Sequence, residues 1–398
     1  MAIRNVRTEI RDVASRALRA SLFVLTERDS RLSARWLGRM FEDATKGLRS
    51  SDSSYVNGSL FAIAQLLDVS DDLSEPLLVE IFHSVWACRE DHSVRTALLT
   101  VLPALAARPT LSFALEWTHL IAAYLVSALR TAAVQHRGVT FIAIGLTARA
   151  SGSAFAEHVP AIVQQCREAL ANSPAKTSPR LPMHAAYPEA LECLAMLAEA
   201  HGSAIEPHIA GILPSMFDCG LSLGLTTTLT IFVKHAPALI PEIQWRLLEL
   251  VHSVLTRNSS VQWLEHGDSD GIVVDALSLV PGRRVNWGQS SVAHGAGGYA
   301  ANFEQQTMRA KQLALALDTL TTFKFEGCKL ITFTSDRVSV FLEDTSPQVR
   351  SVAAVACCKI LLSEFAFADT SGMGFDLANP VRQSPSYVEV PIICAIHS

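Results

Sequence analysis

The feature that most constrains this chain is a recurrence. Amphipathic helical stripes come in pairs, and equivalent stripes return about every 40 residues. Within residues 75–89, Leu77, Leu78, Ile81, Phe82, Val85 and Trp86 fall at three-and-four spacing and so share one helix face. After a break at residues 90–93, Val94, Leu98, Val101, Leu102 and Leu105 form a second stripe that stops before Arg108 and Pro109. The same unit is read at 118–131 with 137–150, at 160–170 with 188–201, and at 208–219 with 225–235. A helix at 241–257 follows, then 309–322 pairs with 330–343, and 347–365 closes the series. Ile144, Gly145 and Leu146 are expected at a seam where two helices approach closely, because glycine leaves room for a neighbouring side chain. One helical pair cannot bury its apolar face alone, so successive pairs must stack.

Two stretches interrupt the period. Residues 172–186 carry Pro174, Pro179 and Pro182, and residues 258–306 carry Gly267, Gly271, Gly282, Gly288, Gly295, Gly297 and Gly298; both read as loop insertions. Residues 1–365 are therefore expected to form one all-α solenoid, with 366–398 an irregular tail.

Three helices open on the same dipeptide: Val6-Arg7, Val94-Arg95 and Val349-Arg350. The fullest copy runs from Asp344 through Thr345, Ser346, Pro347 and Gln348 to Val349 and Arg350. Proline suits a first helical turn, where its missing N–H would be unpaired anyway. This is the opening of the second helix in HEAT and armadillo-type repeats, where Asp and Arg are expected to form a ladder between neighbours. Because Val6-Arg7 stands where a second helix begins, the sequence is expected to start inside a repeat, as a piece of a longer array or an incomplete gene model.

Composition narrows the function. Hydrophobic residues make up 49% and charged residues 18% of the 398, which excludes bulk disorder. With 33 basic against 38 acidic residues and a net charge of -5, no electrostatic case exists for a nucleic-acid surface. The eight cysteines (Cys88, Cys166, Cys193, Cys219, Cys328, Cys357, Cys358 and Cys394) form no C-x-x-C pair and read as reduced core residues. That reading is the one expected of a cytoplasmic or nuclear protein. Arg130, His136 and Arg149 interrupt the longest apolar stretch, so no segment reads as membrane-spanning. The Arg-rich start (Arg4, Arg7, Arg11, Arg16, Arg19) is punctuated by Glu9 and Asp12, against the acid-poor character of a transit peptide.

Several segments resemble a known family. Residues 10–22, followed by Arg35, Trp36, Phe41, Glu42, Lys46, Gly47 and Leu48, resemble a repeat near the start of the amino-terminal scaffold of target-of-rapamycin (TOR) kinases. Residues 194–205 and 213–222 resemble the same kinases, as does the run from Leu315 to Phe323, Phe325, Glu326 and Gly327, whose Phe-x-Phe-Glu-Gly ending is not a general HEAT feature. The resemblance is collinear over about residues 9–362 and lapses after Phe365. It implies a scaffold segment of a serine/threonine-protein kinase active in growth and nutrient signalling. Implied protein partners are raptor-type or rictor-type subunits, and a contribution to dimer assembly. The kinase domain of such proteins lies far carboxy-terminal, and no ATP-site or rapamycin-site residue has a counterpart here. A stand-alone HEAT adaptor of transport-receptor or phosphatase-scaffold type is the alternative that the repeat pattern alone permits.

No catalytic, cofactor-binding or metal-binding residue is expected. Gly295, Gly297 and Gly298 lack the preceding strand and following Lys-Ser or Lys-Thr of a phosphate cradle, and the kinase motifs are absent. Cys357 and Cys358 face different sides of one helix with no histidine three or four residues away. His201, His208, His235 and His252 read as surface or capping residues, Trp36, Trp86, Trp117 and Trp245 as buried members of helical stripes, and Arg283-Arg284 as part of a solvated loop.

Overall fold

The computed structural model describes residues 8–28, 30–70, 73–108, 114–131, 134–171, 188–258, 298–325 and 330–370. Among these residues the regular structure is entirely helical. The helices are α1 (Thr8–Arg28), α2 (Ser30–Gly47), α3 (Ser53–Val69), α4 (Glu75–Trp86), α5 (Arg95–Ala106), α6 (Ala114–Thr131), α7 (Val134–Ser151) and α8 (Val159–Ala171). They continue as α9 (Pro188–His201), α10 (Glu206–Phe217), α11 (Leu223–His235), α12 (Ile240–Asn258), α13 (Gly298–Thr322), α14 (Leu330–Phe333) and α15 (Pro347–Thr370).

The helices lie in two layers. Odd-numbered helices stack in sequence, α1 on α3, α3 on α5, and so on to α11, and α13 stacks on α15. Even-numbered helices form the other layer, in which α6 meets α8, α8 meets α10 and α10 meets α12. The buried core runs along the length of the stack, from Leu22 to Ile360, as expected when each repeat covers its neighbour.

Short local signals set the turns. Asp52 accepts from the Ser54 amide at 2.9 Å to start α3, Asp91 accepts from the Ser93 amide at 2.8 Å before α5, and the Ser222 hydroxyl accepts from the Leu225 amide at 3.2 Å at α11. After α7 and α9 the chain turns through Gly152 at φ 51° and Gly202 at φ 56°, a left-handed conformation that glycine adopts without steric cost. A 3-10 turn follows each of α7, α9 and α11, and the next helix starts with proline as its second residue: Pro160, Pro207 and Pro241.

Polar contacts between repeats keep the repeat's spacing. Asn57 donates to the Ser93 carbonyl at 3.2 Å, Thr228 to the Leu191 carbonyl at 3.1 Å, and Tyr124 to the Arg89 carbonyl at 3.2 Å. Their partners stand 36, 37 and 35 positions away. Salt bridges join the same layers, Arg19 to Asp68 at 2.6 Å between α1 and α3, and Arg149 to Glu199 at 3.7 Å between α7 and α9. The seam at Gly145 is where α7 meets α9. A Cβ there would lie 2.4 Å from the Met196 Cε and 3.1 Å from its Cβ, so only glycine fits without movement. Ile144 is fully buried beside it.

Several expectations change. Helix α13 pairs with α12 across the intervening segment, and the stretch from Leu330 packs against α15, so 309–322 is not the partner of 330–343. That stretch is also not one helix: α14 gives way to a π turn (Thr334–Val338) and a 3-10 turn (Ser339–Glu343). Helix α13 begins at Gly298, inside the segment read as loop 258–306, and α15 runs to Thr370, past the boundary placed at 365. Among the described residues the expected Asp–Arg ladder between neighbouring repeats is present at Asp344, with the arginine supplied by α13 and not by the motif's own Arg350. Buried Asp344 takes Arg309 of α13 at 2.8 Å, while Arg350 donates to the Asp344 and Thr345 carbonyls at 2.7 and 3.2 Å, and Arg95 contacts the His92 Nδ1 at 2.7 Å. Val6-Arg7, residues 172–186, Arg283-Arg284, Gly295, Gly297, Glu326, Gly327, Cys328, Cys394 and the tail from 371 lie outside the described residues.

Candidate functional site

Among the described residues, no group of three or more His, Cys, Asp or Glu side chains converges closely enough to hold a metal ion. Cys166 of α8 and Cys193 of α9 lie in the core and face each other; burial, reinforced by the neighbouring thiol, pushes the Cys166 pKa well above the usual range. Cys357 is half-buried and Cys358 exposed, which places them on different sides of α15 as their adjacency requires. Burial, with a smaller contribution from Cys358, also raises the pKa of Cys357.

The histidines do not come together. His201 ends α9 with its Nε2 buried and without a hydrogen-bond partner, and burial lowers its pKa. His252 of α12 lies edge-on to Phe333 at 6.1 Å, with its pKa lowered by burial and then by Arg337. His208 opens α10 and His235 closes α11, both half-buried.

The tryptophans divide into two classes. Trp36 on α2 is 52% exposed and Trp245 on α12 is 53% exposed, so these two are not core residues, contrary to the reading of their stripes. Gln244, next to Trp245 in sequence, donates to the Lys324 carbonyl at 3.3 Å in the Phe-x-Phe segment, where Phe323 and Phe325 pack at 5.0 Å.

Trp86 and Trp117 belong to a single aromatic array that bridges α4 and α6. Phe82 stacks on Trp117 with centroids 4.1 Å apart and planes 5° from parallel, and on Trp86 at 5.6 Å. Trp86 meets Tyr124 edge-on at 5.7 Å, and the Tyr124 hydroxyl donates to the Arg89 carbonyl. The Arg89 guanidinium lies over the Trp86 ring at 5.5 Å while donating to the Trp86 carbonyl and to Glu90. Burial raises the Tyr124 pKa. The rings fill the space between two helices of the even layer and leave a floor in which Trp86, Trp117 and Tyr124 are only half-buried. Sequence reading assigned these rings to separate stripes. The available signal was that Trp117 and Tyr124 stand seven positions apart on one helix face, as a partner for Phe82 and Trp86 one repeat earlier.

Among the described residues the arrangement offers long helix faces with aromatic and charged side chains. No family model matches the chain. Its sequence is 29% identical over 364 residues to the serine/threonine-protein kinase TOR of Arabidopsis thaliana, covering 91% of this chain and 13% of the relative. It is 29% identical over 356 residues to the TOR kinase of Oryza sativa subsp. japonica, covering 88% and 13%. With tor1 of Schizosaccharomyces pombe the identity is 27% over 361 residues, covering 90% and 14%. The chain thus spans about 13% of the length of these relatives. Among solved structures, a Kap121p mutant superposes with a TM-score of 0.53 at 11% identity, covering 93% of this chain and 35% of that one. Kap121p bound to Ste12p also gives 0.53 at 11%, covering 92% and 34%; at these identities the likeness is one of fold. The chain is an α-solenoid of HEAT type, similar in sequence over 88 to 91% of its length to one segment of the TOR serine/threonine-protein kinases.

Proposed function

We propose that this chain is a protein-binding scaffold segment of a TOR-type kinase, organising accessory subunits of a TOR complex in growth and nutrient signalling. The observation that supports it best is collinear similarity to TOR kinases along nearly the whole stack. Raptor-type or rictor-type subunits are the proposed partners, met in the cytoplasm or, through them, at nuclear or endomembrane sites. Phosphoryl transfer is assigned to parts of such a kinase other than this one. A repeat array suits the role because its surface grows with its length and no closed cleft is needed.

The second reading is a stand-alone HEAT adaptor of transport-receptor or phosphatase-scaffold type, favoured by the likeness in fold to Kap121p. Affinity purification of the amino-terminally tagged chain from its own cells, followed by mass spectrometry, separates the two. Recovery of raptor-type or rictor-type subunits is expected. Recovery of transport cargo or phosphatase subunits alone overturns the TOR scaffold reading.

A further inference from the structure

We infer that residues 388–396 of this chain dock on the outer face of α15 and cover the apolar end of the stack. The inference concerns the chain's own surface and stands apart from the partners proposed above.

The face is defined by which side of α15 is covered. Val349, Ala353, Ala356 and Ile360 are its buried side. Ser351, Ala354, Val355, Cys358, Leu361 and Leu362 share the opposite side at three-and-four spacing and are all exposed, Val355 by 47%, Leu361 by 41% and Leu362 by 68%. Each odd helix from α3 to α9 has an odd neighbour on both sides, whereas among the described residues α15 has α13 alone. Its outer side therefore has the apolar make-up of a stacking face with no described helix against it. The charged residues at its margins are Arg350, held by the Asp344 and Thr345 carbonyls, and exposed Lys359.

Reach and chemistry name the occupant. Residues 388–396 carry Val388, Val390, Ile392, Ile393 and Ile396, and their only charge is Glu389, opposite in sign to Lys359. Residues 371–387 tether this segment to the end of α15. At up to ~3.3–3.6 Å per residue the tether can span on the order of 50 Å. The face lies about 10–30 Å back along the helix from Thr370, at 1.5 Å per residue, so it is well within range. A tether of this length holds the segment at an effective concentration on the order of millimolar, so a contact too weak to retain a free peptide suffices here. Covering the face matters because an open apolar end of a repeat array invites association between copies.

The test uses the 398-residue chain, in which Cys358 lies on the face and Cys394 in the docking segment. Brief oxidation with diamide, followed by peptide mapping, is expected to give a Cys358–Cys394 disulfide as the main product, since the two thiols are held together. In a mixture of isotope-labelled and unlabelled chains, the linked peptides should carry matching labels. Alkylation of Cys358 should be about fivefold slower in the unaltered chain than in Ile392→Asp, Ile393→Asp, yet still far faster than that of buried Cys166 and Cys193. Leu362→Asp, at an exposed position, should lower the disulfide yield in the same way, with circular dichroism unchanged. Absence of the Cys358–Cys394 link, mixed labels showing that a second copy occupies the face, or equal alkylation rates with and without the aspartates overturns the inference. None of these outcomes bears on subunit recovery by affinity purification, which tests the scaffold reading separately.

Discussion

Replacing Arg309 by methionine removes the guanidinium that reaches from α13 to Asp344 and keeps most of the side chain's apolar bulk. The Asp344 side chain is 2% exposed and Arg309 25%, with 2.8 Å between them. Removing one partner of a buried pair typically costs about 3–5 kcal/mol, because a carboxylate stays behind without compensation. Here Asp344 keeps the Ser346 amide at 2.8 Å, which meets part of its demand. The expected loss is therefore about 2–3 kcal/mol. In Arg309→Met, Asp344→Asn the remaining amide still accepts from Ser346 and no charge is stranded, so the double variant should lose only about 1 kcal/mol. Because a repeat array need not unfold in one step, the assay is hydrogen exchange of the amides in α13 and α15 during urea titration, not a global transition. With a slope of about 1–3 kcal/mol per molar urea, the local midpoint should fall by about 1 M. A shift in α1–α7 equal to that in α15, a loss below about 0.5 kcal/mol, or a double variant as unstable as the single one would refute the reasoning.

Gly145→Val is expected to destabilise the α7–α9 seam by about 1–3 kcal/mol, and Met196→Ala in the same chain should recover part of it by vacating the overlapped space; thermal melting measures both. Acid should loosen the C-terminal end of α9. Burial lowers the His201 pKa, so the stability of its neutral form is fully present above the ordinary value of 6.5 and is lost as pH falls towards the folded-state value. His201→Gln should flatten that slope in a pH series of hydrogen exchange over residues 195–210, and an unchanged slope would count against it. Brief alkylation of the native protein, with sites mapped by mass spectrometry, should modify exposed Cys358 and spare Cys166 and Cys193 until denaturant is added.

Much of the architecture was legible in the residues. Three-and-four spacing marked the helices from α4 to α12, prolines such as Pro160 and Pro241 marked their starts, and Gly145 marked a tight seam. These are local properties, set by backbone geometry and by which face of a helix is apolar. The aromatic array was only half legible, since each stripe revealed its rings but not the rings they would meet. The resemblance of the Phe-x-Phe segment pointed to the same kinases that the comparisons found.

Tertiary structure decided what covers each apolar face. Periodicity gave Trp36 and Trp245 places in stripes like those of Trp86 and Trp117, yet the first pair is exposed and the second is half-buried, because α4 and α6 supply rings to each other. It also paired 309–322 with its neighbour in sequence, whereas α12 covers α13 from across the longer insertion. Asp344 and Arg350 share a motif, but the carboxylate takes Arg309 from the preceding repeat because burial demands a charged partner and that helix passes within reach. A sequence states how wide an apolar stripe is and where a turn falls; which helix fills the stripe depends on the stacking of the whole array, where each repeat is completed only by the next.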